Sequence, residues 1–140
     1  MTAFDDLSPY SYLPGSVPPD VSVLNVGWLD AGRGYPVGSA PVGFLERLGT
    51  LCADHAEART RGWHLCQLPH PDGPPPCPVT IEAGGRSVAL GGAEVRVRGT
   101  SGVRLAAPDL IHHYVEAHRY LPPEAFVDGV MGDRRPGAVR

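Results

Sequence analysis

VTIEAGGRSVALGGAEVRVRGTSGVRLAAP, residues 79–108, decides the fold. It holds four short β-like runs, VTIEA, RSVAL, AEVRVR and VRLAA, separated by Gly84-Gly85, Gly91-Gly92 and Gly99-Thr100-Ser101-Gly102. Runs of that length, punctuated by turn residues, predict strands joined tightly into an antiparallel meander. Within the third run Val95 and Val97 alternate with Glu94, Arg96 and Arg98. That alternation predicts a half-buried sheet with one wet face.

Downstream of the meander, Asp109 follows Pro108 and is placed to cap a helix from about Leu110 to Tyr120. Pro122-Pro123 stops that helix and launches another, Glu124 to Met131. Upstream, His70-Pro71-Asp72-Gly73-Pro74-Pro75-Pro76-Cys77-Pro78 has too few backbone donors for a ladder and reads as an exposed connector. Before the connector, Phe44, Leu45, Leu48, Leu51, Cys52, His55 and Ala56 recur at helical intervals, so an amphipathic helix is expected from just after Pro41 to about residue 59.

The run VSVLNVGWL, residues 21–29, predicts a strand in which Gly27 marks a bulge or a close backbone approach. Residues 1–19, with Tyr10 and Tyr12 among scattered prolines, suit an extended arm that lays its aromatics on the body. The expectation is an α+β protein: a small antiparallel β-meander packed with one helix from the N-terminal half and two C-terminal helices. The arm (1–19), a single domain (20–131) and a flexible tail (132–140) divide the chain.

A chain of 140 residues is long enough for one modest core. Its formal net charge of -3, with acidic and basic residues evenly spread, gives no basic stripe of the kind a nucleic-acid backbone requires. All 12 basic residues are arginine, which with abundant Ala, Gly and Pro matches the coding bias of a high-GC bacterial genome. There is no apolar run of membrane-spanning length and no secretion signal, so a cytoplasmic protein is expected, with no membrane partner. Three cysteines, Cys52, Cys66 and Cys77, are an odd number for a disulfide framework, which leaves thiols for packing or for metal.

The candidate chemistry lies in His64, Cys66 and Cys77 and in the histidines at 112, 113 and 118. A structural zinc site takes four nitrogen or sulfur ligands in a tetrahedron, and a His-x-Cys pair on one extended segment supplies two. Cys77 is the third, because the proline-rich connector can fold back. His113 is the preferred fourth. His113 and His118 are five residues apart, about 500° around an ideal helix and so roughly 140° apart in direction; on that geometry His118 drops out and His112 stays an outside candidate. The competing reading, which carries more weight for several of these histidines, is hydrogen-bonded packing in the core or at the surface.

Two further readings compete. A cysteine enzyme would use Cys66 as nucleophile, His64 or His113 as base and Glu94 as the orienting group, yet no oxyanion-hole loop, phosphate cradle or serine elbow accompanies them. A non-catalytic module, of a regulatory or immunity type, would bind a protein partner or self-associate through Tyr10, Tyr12, Trp28, Tyr35 and Trp63, since aromatics are favoured at interface hot spots. Binding without catalysis is the leading expectation.

Asn25-Val26-Gly27-Trp28-Leu29, Arg61-Gly62-Trp63-His64-Leu65-Cys66, Gly92-Ala93-Glu94-Val95-Arg96-Val97, and Ala106-Ala107-Pro108-Asp109-Leu110-Ile111-His112-His113-Tyr114-Val115 followed by His118, Tyr120, Pro122-Pro123 and Phe126 together span most of residues 25–130. In these motifs the chain resembles a family of short, stand-alone bacterial proteins of unknown function. In the pattern of that family the His-x-Cys element continues as Cys-x-x-Cys, whereas here Pro69 stands at the second cysteine position. The resemblance supports the single-domain reading and implies no activity.

Overall fold

The computed structural model describes residues 3–17, 21–60 and 63–135. Pro18-Pro19 of the arm, Arg61-Gly62 and residues 136–140 of the tail lie outside the described residues. Among the described residues five strands and three α-helices follow one another as β1 (Val23–Asn25), α1 (Phe44–Asp54), β2 (Val79–Ala83), β3 (Arg86–Leu90), β4 (Glu94–Arg98), β5 (Arg104–Pro108), α2 (Ile111–His118) and α3 (Glu124–Met131). The fold is α+β, as expected.

All four runs of the quoted stretch form strands, and they pair as two hairpins. β2 and β3 pair antiparallel about Gly84-Gly85, whose φ angles of 62° and 77° suit the two-residue turn that needs both central residues left-handed. β4 and β5 pair antiparallel, and β5 also takes β1 as a parallel neighbour, Val23 against Arg104 and Asn25 against Ala106, giving the order β1-β5-β4. β3 and β4 do not pair, because the backbone between them is already engaged. Gly91 donates its N–H to the Asp109 carboxylate at 2.7 Å, while the Gly91 and Gly92 carbonyls accept from His64 and Thr60 N–H groups.

Helix α1 buries Phe44, Leu48, Leu51 and Cys52 against the sheet and the C-terminal helices. It stops at Asp54, five residues short of the expected end, because Glu57 pairs its backbone with Glu94 and pulls the chain into an extended path along β4. Helix α3 spans the expected residues. Asp109 does not cap α2: its side chain is fully buried and turned toward the Gly91 N–H instead. Gly27 is a close approach, since a Cβ there would lie 2.8 Å from Ile111 Cδ1.

The face of β4 expected to be wet is covered. Glu94 and Arg96 are 2% and 8% exposed, because the N-terminal arm runs along β1 and over them. Leu7 and Tyr10 N–H groups donate to the Asn25 and Val23 carbonyls, and Asn25 N–H donates to the Ser8 carbonyl. Tyr10 OH donates to Glu94 Oε2 at 2.7 Å, and Arg96 reaches Glu94 Oε1 from Nε at 3.0 Å and Nη2 at 2.8 Å. The guanidinium also donates to the Ser16 carbonyl and hydroxyl. Burial pushes the Glu94 carboxyl up, against the Tyr10 and Arg96 bonds that hold it down. Among the described residues no helix is long and apolar enough to cross a membrane.

Candidate metal centre

After Ala58, whose φ of 50° turns the chain, Thr60 and then His64 lie beside the Gly91-Gly92 backbone, their N–H groups donating to the Gly92 and Gly91 carbonyls at 2.7 Å. The approach is close enough that a Cβ on Gly91 would meet the His64 carbonyl oxygen at 2.6 Å. On this extended segment side chains alternate: Trp63 and Leu65 are exposed, while His64 and Cys66 are half-buried. Leu68 anchors the next stretch in the core, and His70 opens a turn closed by the Gly73 N–H on the His70 carbonyl at 3.1 Å. Pro71 holds the second place of that turn, where its fixed φ is favourable.

Helix α2 supplies the other side. His113 is 7% exposed, and His118 is the last helical residue. The helix ends in a left-handed cap at Arg119, φ 55°, after which the Arg119 and Tyr120 N–H groups both turn back to the Tyr114 carbonyl. His113 and His118, whose Cα–Cβ directions an ideal helix sets far apart, have rings that meet at 5.1 Å between centroids, with the His70 ring against both.

Cys66, His70, His113 and His118 each bring one ligand atom to within 4.8 Å of all the others. His70 Nε2 lies 3.1 Å from His113 Nε2 and 3.1 Å from His118 Nε2, and Cys66 Sγ lies 3.4 Å from His118 Nε2. Zinc bonds of about 2.0–2.1 Å to nitrogen and about 2.3 Å to sulfur give tetrahedral edges of roughly 3.3–3.4 Å between nitrogens and roughly 3.6 Å from sulfur to nitrogen. The three observed edges are within a few tenths of an ångström of those lengths.

Hydrogen bonding alone satisfies this arrangement poorly. A ring nitrogen of neutral imidazole carries one proton or one in-plane lone pair. Yet His70 Nε2 faces two nitrogens, and His118 Nε2 faces a nitrogen and a sulfur. Convergent lone pairs are what a cation satisfies. The electrostatics point the same way: burial first, then the neighbouring imidazoles of His118, His70 and His112, pull His113 down to about 4. Burial and His70 lower His118. Both shifts favour the neutral ring, the form in which imidazole ligates. Burial pushes the Cys66 thiol up, the reverse of the activation that an attacking thiolate requires.

Of the residues singled out in the sequence, Cys66 and His113 are in the cluster and His64 and Cys77 are beside it. His64 Nε2 is 3.0 Å from Tyr12 OH, and its ring meets Trp28 edge-on. Cys77 is exposed and shares with Cys66 the wall of a cavity of about 210 Å³. His112 faces away, into a cleft that Glu46, Glu82 and Glu116 also line. Glu94, the proposed orienting group, belongs to the arm network.

The two additional members are His70, which the sequence placed in a connector, and His118, which ideal helix geometry set aside. Spacing was the available signal, since Cys66-x₃-His70 and His113-x₄-His118 fall within the ligand intervals of structural sites.

No curated protein and no solved structure matches the chain. A family model described as a domain of unknown function, DUF7919, matches residues 2–131, so the domain and most of its arm fall within a single family unit. The chain belongs to the DUF7919 family.

Proposed function

We propose that the protein is a non-catalytic binding domain organised around one zinc ion, held by Cys66 Sγ and the Nε2 atoms of His70, His113 and His118. The observation that carries this reading is the convergence of four ligand atoms within 4.8 Å. A one-sulfur, three-nitrogen tetrahedral set suits zinc among the common divalent metals. With four protein ligands the coordination sphere is closed, which is the arrangement of a structural site. The ion ties residues 66–70, in a stretch from His55 to Pro78 whose described residues form neither helix nor strand, to helix α2. Irregular stretches longer than about 12–15 residues are uncommon in a compact domain without a functional reason.

Metal analysis of the purified chain tests this directly, with about one zinc per chain expected from the ligand count. His118→Ala should lower that content sharply, while His64→Ala should retain it. A chain that binds no zinc, or a His118→Ala variant that keeps a full complement, sinks the reading. Recognition of a protein partner is the accompanying role, supported by Trp63 and Leu65, 45% and 52% exposed on the outer side of the segment that the metal immobilises. If the partner is a second copy, sedimentation should show association that Trp63→Ser weakens; a chain that stays monomeric at every concentration removes self-association.

A further inference from the structure

Cys77 has no place among the four ligands, yet it is not remote from them. It lines, with Cys66, Leu65, His64, Pro74–Pro76 and Val79, the cavity of about 210 Å³ that abuts the cluster. The two cysteines differ in access: Cys77 is exposed and Cys66 is half-buried. The third, Cys52, is fully buried in α1 and directs its thiol to the Asp109 carbonyl at 3.7 Å. Cys66 and Cys77 are thus the two thiols that share a space.

The wall carrying Cys77 is lightly held. Pro74, Pro75, Pro76 and Pro78 have no N–H to donate. Among the described residues the backbone bond that closes this stretch is Gly73 N–H to the His70 carbonyl, at its far end. Closing the cavity therefore breaks no ladder, and the void between the two thiols is the space such a movement would fill.

We propose, resting on the zinc reading above, that Cys66 and Cys77 form a redox pair through which a hydroperoxide-class oxidant releases the metal. The exposed Cys77 thiol reacts first: its sulfur attacks the peroxide O–O bond and takes one oxygen to become a sulfenic acid, while the other oxygen takes up the thiol proton and leaves as water from hydrogen peroxide or as an alcohol from an organic hydroperoxide. The Cys66 sulfur, a thiolate while it ligates zinc, then attacks the Cys77 sulfur and expels hydroxide, which takes up a proton to become water. Two thiols are oxidised to one disulfide, and one hydroperoxide is reduced. The ion loses its only sulfur ligand and is left with three neutral imidazoles, a weaker and open site.

The test uses the full zinc-loaded chain, exposed to hydrogen peroxide while released zinc is followed with a chromogenic chelator and disulfides are located by peptide mapping. Expected are a Cys66–Cys77 bridge appearing in step with one zinc released per bridge, and release slowed roughly tenfold or more in Cys77→Ser, which removes the exposed thiol and leaves the ligands intact. Equal release from Cys77→Ser, or oxidation of Cys66 to a sulfinic acid without a bridge, overturns the redox pair and leaves the zinc site standing. A wild-type chain that takes up no zinc before oxidant is added overturns both. Cys77→Ser that binds zinc normally but resists peroxide supports the pair and shows that Cys77 is no ligand.

Discussion

Around β4 and between residue 66 and α2, the molecule takes several polar groups out of water at once, and the two regions do so by different means. Under the N-terminal arm both oxygens of Glu94 and all three nitrogens of Arg96 find partners in the protein itself. Donors and acceptors are matched one against the other, as a buried ion pair requires. In the Cys66/His70/His113/His118 cluster the groups are of one kind, ring nitrogens and a sulfur that lie within 4.8 Å of one another. In the first region the charged pair is satisfied by the polypeptide itself; the second is a group of side chains that could hold a metal ion.

Chelation breaks this contrast most strongly. With zinc at a thousandfold its dissociation constant, removal costs about 4 kcal/mol of stability, read as a fall in Tm on adding a strong chelator. The arm network should be indifferent to it. Protection from proteolysis should be lost first in residues 66–78, and a chain whose Tm does not respond would place the two regions in one class.

Glu94→Ala is the matching insult to the other region. It strands the Arg96 guanidinium in a site where the pair's side chains are 8% and 3% exposed. The expected cost is about 3 kcal/mol, the same with and without chelator, because the two regions share no ligand. A cost that vanishes in metal-free protein would show that they are coupled.

The fold was legible where chemistry is local. The glycines of the β2–β3 turn, the prolines before α3 and the apolar stripe of α1 all act within a few residues. The parallel partnership of β1 with β5 was not legible, since nothing within Val23–Asn25 names a partner. Nor was the burial of Glu94 and Arg96: alternation of valine with charge in β4 describes a half-wet sheet until an arm from residues 4–16 is laid over it. In the site, Cys66 and His113 could be read because they are the kinds of residue that ligate. His118 was set aside on backbone direction alone, which leaves out the reach of an imidazole side chain, and His70 was passed over because the connector was folded back to bring Cys77, not its first residue, to the metal.

The smallest effect concerns Asp109, which joins the two regions by holding Gly91 N–H on one side of the backbone that holds His64 on the other. Burial raises its carboxyl to about 6, against bonds from Gly91 and Ala93 that lower it. A carboxyl raised on folding contributes stability that is fully present below its unfolded value near 3.8 and is lost as pH rises through about 6. Wild type should therefore gain most over Asp109→Asn near pH 4 and least above pH 6, in a Tm series of both. A difference that is flat with pH would mean that Asp109 keeps an ordinary carboxylate affinity.

The parallel pairing of Val23–Asn25 with Arg104–Ala106 sets a schedule for making the protein as well as a shape. The partners lie 104 − 23 = 81 residues apart, and the sheet that carries the arm cannot close until β5 has left the ribosome. Until then the arm, β1 and the apolar side of α1 wait without their final cover. Contacts of such long reach put folding at the slow end for a chain of this size, and they make the emerging N-terminal third the part of the molecule most in need of protection from its neighbours.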